Sequence, residues 1–299
     1  MPHKHDFLRA AAQRRTRKEA RMQSSQTGIT GHYSSGNLLQ AIRAGLKAAR
    51  TKSDASDVDL LGGVDEFHIG GRTATEALAD RVIPGPDCQV LDIGCGIGGT
   101  ARFLATRYGC QVTGIDLTPE FVDVGNQLNA DLGLGNRIML SVADATDIPL
   151  GTDRFDRVTM LHVGMNIADK DRLAAEIARV LKPGGIAAIY DVMRTGEEPL
   201  RFPVPWARDQ TMSFVATPAD YAASLAAAGL SPDAAVSMRD TALAFFEQAR
   251  ARMAAGGGSS PLGVHLVMGQ DAREKVANLS AMVEAGTVCP TLILAHKPV

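Results

Sequence analysis

Apolar residues recur along this chain in two rhythms, and the change from one to the other lays out the elements. Short unbroken apolar runs lead into turns that contain glycine or an acid. Between them lie stretches whose apolar positions fall three and four residues apart. The first pattern predicts buried strands and the second amphipathic helices. Strands are predicted over residues 89–93, 111–115, 137–142, 155–162 and 186–191, and helices over 100–108, 118–132 and 171–181. Leu173, Ile177, Val180 and Leu181 make the last helix strongly periodic. Pro119 suits a helix start, because the first helical position has no N–H bond to lose. Strands alternating with helices imply a parallel sheet covered on both faces.

On either side of this block the rhythm loosens. Leu38, Leu39, Ile42, Leu46 and Ala49 predict a short amphipathic helix over 38–49. Residues 51–63 are polar and acidic and read as a linker or flap; a helix follows from about 73 to 81. Residues 195–213 are irregular and contain several prolines. Helices are predicted over 217–228, 243–255 and 272–285, with short strands at 234–238 and 291–295. A glycine-rich break at 256–260 separates the last two helices.

Residues 90–103 read V-L-D-I-G-C-G-I-G-G-T-A-R-F and carry the clearest chemistry. An apolar strand runs into a glycine turn that opens a helix. Glycine tolerates positive φ and lets a ligand lie against the backbone. The helix N-terminus offers N–H groups and partial positive charge to an anionic group. Gly94, Gly96 and Gly99 also satisfy a dinucleotide fingerprint, so a nicotinamide cofactor must be weighed. Three acids separate the readings. Asp92 precedes the first glycine and can meet an ammonium group; Asp116 ends the next apolar run and can take ribose hydroxyls; Asp144 closes another run. Asp116 fits either cofactor. Asp92 and Asp144 together favour S-adenosylmethionine, whose amino-acid end and adenine amino group both offer donors. Asp147 competes with Asp144, which is favoured because it ends the apolar run directly. No Tyr-x-x-x-Lys pair of a hydride-transferring enzyme is present. These acids and His162 all fall near strand ends, where ligands bind in such sheets.

The set V-L-D-I-G-C-G-I-G-G, V-T-G-I-D-L-T, A-D-A-T-D-I-P, F-D-R-V and L-K-P-G-G resembles the class I S-adenosylmethionine-dependent methyltransferases, over about residues 66–195. F-H-I-G-G, H-V-G-M-N-I-A-D-K and F-P-V-P-W-A look like their small-molecule branch. That branch includes sarcosine/dimethylglycine N-methyltransferases and, more distantly, tocopherol and ubiquinone/menaquinone methyltransferases. The resemblance implies a Rossmann-like, seven-stranded, mostly parallel sheet with its last strand antiparallel. It further implies that Asp92, Gly94, Cys95, Gly96 and Gly98 frame the methionine portion, with His68 and Gly70 lining the same pocket. Asp116 would bind the ribose and Leu117 would pack beside adenine. Asp144 would accept from the adenine amino group and Ala145 would donate its N–H. His162 would face the transferred methyl as acceptor contact or base, with Asn166, Tyr190 and Trp206 on the acceptor side. The implied reaction is in-line methyl transfer to a small molecule, with an amine nitrogen favoured and a carbon or oxygen acceptor as the alternative. It leaves S-adenosylhomocysteine and calls for no metal. The implied division is an extension over 1–60, a core over 61–240 with an acceptor loop at 195–216, and a helical addition with a sheet-completing strand over 241–299.

Composition narrows the picture further. The 299 residues are 45% hydrophobic, enough for one large α/β domain with additions. No apolar run reaches membrane-spanning length, and the charged N-terminus lacks the apolar core of a secretory signal. Cys88, Cys95, Cys110 and Cys289 lack zinc-type spacing and read as reduced thiols of a cytoplasmic protein. The net charge of −2 hides a basic arm, with eleven Lys/Arg and two acids in residues 1–52. The arm reads as a solvated extension rather than a nucleic-acid contact. The C-terminal helices offer a surface for a homodimer or a lid.

Overall fold

The computed structural model describes residues 37–82, 85–255, 261–269 and 271–299. Most of the basic arm, residues 1–36, and the glycine-rich 256–260 lie outside them. Among the described residues three helices come first: α1 (Leu38–Arg50), α2 (Asp57–Asp65) and α3 (Gly71–Val82). Then strands and helices alternate: β1 (Gln89–Ile93), α4 (Gly99–Tyr108), β2 (Gln111–Asp116), α5 (Pro119–Asp131) and β3 (Ile138–Val142). β4 (Phe155–Leu161), α6 (Lys170–Val180) and β5 (Leu181–Arg194) complete the block. Beyond a long loop lie α7 (Pro218–Ala227), β6 (Ser231–Pro232) and β7 (Val236–Ser237). The described chain closes with α8 (Arg239–Ala254), α9 (His265–Met268), α10 (Ala272–Ala285) and β8 (Val288–His296).

The sheet order is β3-β2-β1-β4-β5-β8-β6, with β7 also on β8. The first five strands are parallel to their neighbours, and β8 runs antiparallel to β5. Eight strands stand where seven are expected, because the outermost one is broken in two. Ser231 and Pro232 pair with His296 and Ala295, while Val236 and Ser237 pair with Leu292 and Thr291. The Pro232 position faces away from β8, so its missing N–H costs the ladder nothing; the Asp233 N–H still donates to the Leu294 carbonyl at 2.7 Å, and pairing resumes at Val236 after residues 234–235.

Alternation along β1 assigns its residues to two cores. Val90 packs on one face with Leu78, Phe103 and Leu104, and Leu91 and Ile93 pack on the other with Leu173 and Ile177. A third cluster of Ile69, Met165, Trp206, Phe246 and Leu279 joins the long loop to α8 and α10. A fourth, with Ile42, Leu61, Phe121 and Leu262, holds the N-terminal helices in place.

Residues 51–63 differ from the sequence expectation: half of this stretch is helix α2. The Ser56 side chain accepts the Asp59 N–H at 3.2 Å and caps it. Gly62-Gly63 reads as a helix breaker in sequence, yet at Gly63 the missing Cβ is what lets another segment come close. A Cβ there would stand 2.7 Å from the Leu262 carbonyl oxygen. Among the described residues no helix is long and apolar enough to cross a membrane.

Candidate functional site

From β1 the chain steps one way to β2 and β3, then returns to place β4 and β5 on the other side. Such a reversal opens a crevice at the strand tips. Here it leads into a cavity of about 1100 Å³. Single-ligand pockets span roughly 300–1,000 Å³, so this one has room for a cofactor and an acceptor together.

Asp92 sits on β1 opposite Thr159 of β4 in the register. The Thr159 hydroxyl donates to Asp92 Oδ1 at 2.8 Å, and Oδ2 is buried with no partner. Burial pushes this carboxyl up to about 7, against the pull of Thr159. A buried carboxylate oxygen without a donor is costly, and a ligand ammonium would relieve it.

The turn after β1 is fixed by backbone bonds. The Gly94 and Cys95 N–H groups both donate to the Ile115 carbonyl, at 2.8 and 3.0 Å. Gly94 has φ +68°, and a Cβ there would lie 2.2 Å from Val163. The Gly96 N–H donates to Asp116 Oδ2 at 2.9 Å and the Thr118 N–H to Oδ1 at 2.8 Å. Burial raises the Asp116 carboxyl, and these N–H groups oppose the rise. Each oxygen keeps a second acceptor position, which suits a diol. Asp144 Oδ1 accepts the Thr146 N–H and hydroxyl, both at 2.8 Å. Asp144 lines the cavity with Leu117 and Ala145. Asp147 is outside it, exposed and 3.7 Å from Arg172.

Two imidazoles stand deeper. Burial drives His68 down to about 4, and its Nε2 lies 3.1 Å from both the Gly71 carbonyl and the Thr75 hydroxyl. Beside it Glu66 is raised to about 7 by burial and meets Arg72 at 2.5 Å. His162 follows β4 with φ +55°, a left-handed conformation that costs a non-glycine residue about 1–3 kcal/mol. Its N–H donates to the Tyr190 carbonyl at 2.7 Å, which holds the turn. Burial pushes the imidazole well below 6.5, so it is neutral at physiological pH, and its Nε2 is buried without a partner.

The expected site residues are brought together with two exceptions. His68, Gly70, Asp92, Gly94, Cys95, Gly96, Asp116, Leu117, Asp144, Ala145, His162, Asn166 and Trp206 all line the cavity. Asn166 Nδ2 donates to the Trp206 carbonyl at 2.9 Å and Trp206 Nε1 to Ser213 Oγ at 3.0 Å, so the loop after β5 is pinned to the site. Gly98 and Tyr190 do not line it. Gly98 is the cap residue of α4, turned toward Leu140 and Arg102. Tyr190 is buried, donates to the Ile69 carbonyl at 3.0 Å and packs its ring 4.9 Å from that of His162. It braces the wall from behind. Sequence reasoning missed Glu66, Phe214, Phe245 and Val276, all of which line the cavity. The acid before F-H-I-G-G was a signal for the first; the others are ordinary apolar positions of a loop and two helices.

Residues 91–189 match the family described as "Methyltransferase domain". The probable chloroplastic tocopherol O-methyltransferase of Oryza sativa is 37% identical over 133 residues, 43% of this chain and 36% of that protein. The sarcosine/dimethylglycine N-methyltransferase of Halorhodospira halochloris is 30% identical over 171 residues, 52% of this chain and 61% of that protein. The matched part is thus under two thirds of either relative. Among solved structures, a geranyl diphosphate C-methyltransferase from Streptomyces coelicolor superimposes with a TM-score of 0.66 at 20% identity. That match covers 91% of this chain and 98% of that one, which shows a shared fold. The strand-tip acids, the glycine turn and the wall at His162 all fall within the segment, residues 91–189, that matches this family.

Proposed function

We propose that this chain is an S-adenosylmethionine-dependent methyltransferase that methylates a small molecule by in-line displacement. The observation that carries the reading is the buried, unpartnered Oδ2 of Asp92, beside a glycine turn clamped by Asp116. When bound, the cofactor supplies a methyl on a positively charged sulfur, a leaving group that needs no further activation. Asp92 would pair with its ammonium and Asp116 would take the ribose hydroxyls. Leu117, Asp144 and Ala145 would hold the adenine. The chain's own contribution is then alignment of donor and acceptor and exclusion of water, effects that reach about 7–11 kcal/mol in well-oriented systems.

An amine nitrogen is the acceptor atom that the resemblance to sarcosine/dimethylglycine N-methyltransferases favours. An oxygen or carbon acceptor is the second reading. What favours it is His162: a neutral imidazole with an unpartnered Nε2 is in the right form to accept a proton from a hydroxyl. Incubation with methyl-labelled cofactor and acceptors of the three kinds tests both readings. Label transfer is expected, and no transfer to any acceptor by a cofactor-binding protein would overturn the enzyme reading. With a phenol, His162→Ala should cut kcat at least tenfold; an unchanged kcat would make His162 a structural residue.

A further inference from the structure

We infer that the acceptor has an apolar body, a ring or chain carried without charge into the cavity, rather than the zwitterion of an amino acid. This rests on the methyl-transfer reading and adds the chemical class of the second ligand. The first ground is a count of charges. An amino-acid acceptor brings a carboxylate, and a buried carboxylate costs several kcal/mol unless a cation meets it. Among the described residues that line the cavity, the strong cations are Arg72 and Arg252. Arg72 pairs with Glu66 at 2.5 Å and its Nη2 donates to the Val58 carbonyl, while its Nη1 is buried without a hydrogen-bond partner. Arg252 is exposed in the last turn of α8, on the solvent rim. His68 and His162 are neutral, since burial depresses both. Nearby Lys170 does not line the cavity and donates to the Ile167 and Phe214 carbonyls. Among the described residues, the one strong cation inside the cavity is thus already paired, and a carboxylate would have to draw Arg72 from Glu66.

The second ground is the wall itself. Away from the strand tips it is mainly apolar, with Met165, Phe214, Phe245, Phe246, Val276 and Leu279, and carries Asn166 and Gln248 as polar groups. These come from the loops after β4 and β5 and from α8 and α10, which share one apolar cluster. An uncharged molecule gains by burying carbon against such a wall, at about 25 cal/mol per Å². A short zwitterion has almost no carbon to bury there. The third ground is size: about 1100 Å³ exceeds what one cofactor of ordinary pocket volume fills. The cavity therefore has room for an apolar body beside the cofactor.

The test is calorimetric titration of the whole chain, first with S-adenosylhomocysteine and then, on the saturated protein, with four acceptor probes. 4-Octylphenol and N-methylaniline are apolar and uncharged at pH 8, whereas sarcosine and dimethylglycine are zwitterionic. Octylphenol is expected to bind at least tenfold more tightly than either zwitterion. Phe245→Ala should weaken octylphenol about tenfold while leaving the affinity for S-adenosylhomocysteine unchanged. Phe214→Ala, in a different element, repeats the test should the first variant not fold. Sarcosine or dimethylglycine binding as tightly as octylphenol would overturn the inference, and so would octylphenol binding that ignores both substitutions. Failure of the first titration strikes the methyl-transfer reading instead, so the two failures are told apart.

Discussion

The two ends of the cavity are built by different means. The strand-tip end is made of backbone and short acids at the ends of consecutive parallel strands: the Gly94–Gly96 turn, Asp116 and Asp144 are tied by N–H bonds of 2.8–3.0 Å, and Asp92 by the Thr159 hydroxyl. The helical end is made of side chains: Phe214, Phe245, Phe246, Val276 and Leu279 come from segments far apart in sequence and meet through packing. Backbone bonds fix one geometry for one ligand. An apolar wall is tolerant and can be rebuilt by substituting a few residues. A backbone-built end and a side-chain-built end in one cavity would let the proposed acceptor change while the proposed cofactor does not; relatives are named for acceptors as different as tocopherol and sarcosine.

The comparison is most exposed to a change at Asp116. Asp116→Ala would remove the proposed acceptor for the ribose and release the Gly96 and Thr118 N–H groups together. Hydrogen bonds to charged groups are worth about 1.5–3 kcal/mol, so S-adenosylhomocysteine should bind about a hundredfold more weakly. Near-native thermal stability would accompany this loss if the residue serves the ligand more than the fold.

Asp92→Asn should cost roughly tenfold at pH 8, because the neutral amide keeps the Thr159 contact but not the charge. It should also remove a pH dependence. In the free protein the Asp92 carboxyl is raised to about 7, and a bound ammonium favours its ionised form. Below that pH, binding must expel a proton, so affinity falls as pH drops, by up to about tenfold per unit. Above it, affinity levels off. Asp92→Asn should flatten the fall between pH 5.5 and 7, read by titration at several pH values.

A smaller effect separates two neighbouring acids. Asp144→Ala should weaken S-adenosylhomocysteine by about tenfold, the worth of one buried hydrogen bond. Asp147→Ala should change it by less than about twofold, since this acid is exposed and makes only a distant ion pair. Equal losses in the two variants would mean that the adenine end is misplaced.

The difference between the two ends also sets what the sequence made legible. β1 to β5 each end an apolar run, so their tips could be found residue by residue, and Asp92, Asp116 and Asp144 with them. No such marker singles out Phe245 or Val276. The periodicity of α8 and α10 predicts helices but does not say which apolar residues pack in the core and which face a cavity. Tyr190 shows the same ambiguity on a strand: alternation allows two faces, and its hydroxyl turns to Ile69 rather than to the acceptor space. Helix α2 was hidden because two glycines there serve close packing, not a turn. The sequence predicts one edge piece at 234–238, because which residues pair with β8 is a tertiary fact: 231–232 and 236–237 do.

The central claim is that a sulfonium nucleoside lies across these strand tips with its amino-acid end on Asp92 and its ribose on Asp116. Calorimetric titration of S-adenosylhomocysteine into the wild-type protein at pH 8, beside Asp116→Ala, tests it most directly. The account predicts saturable binding at one site per chain, at about micromolar strength or −8 kcal/mol, and its near loss in the variant. No heat of binding at millimolar nucleoside, or equal affinity in the two proteins, would contradict it.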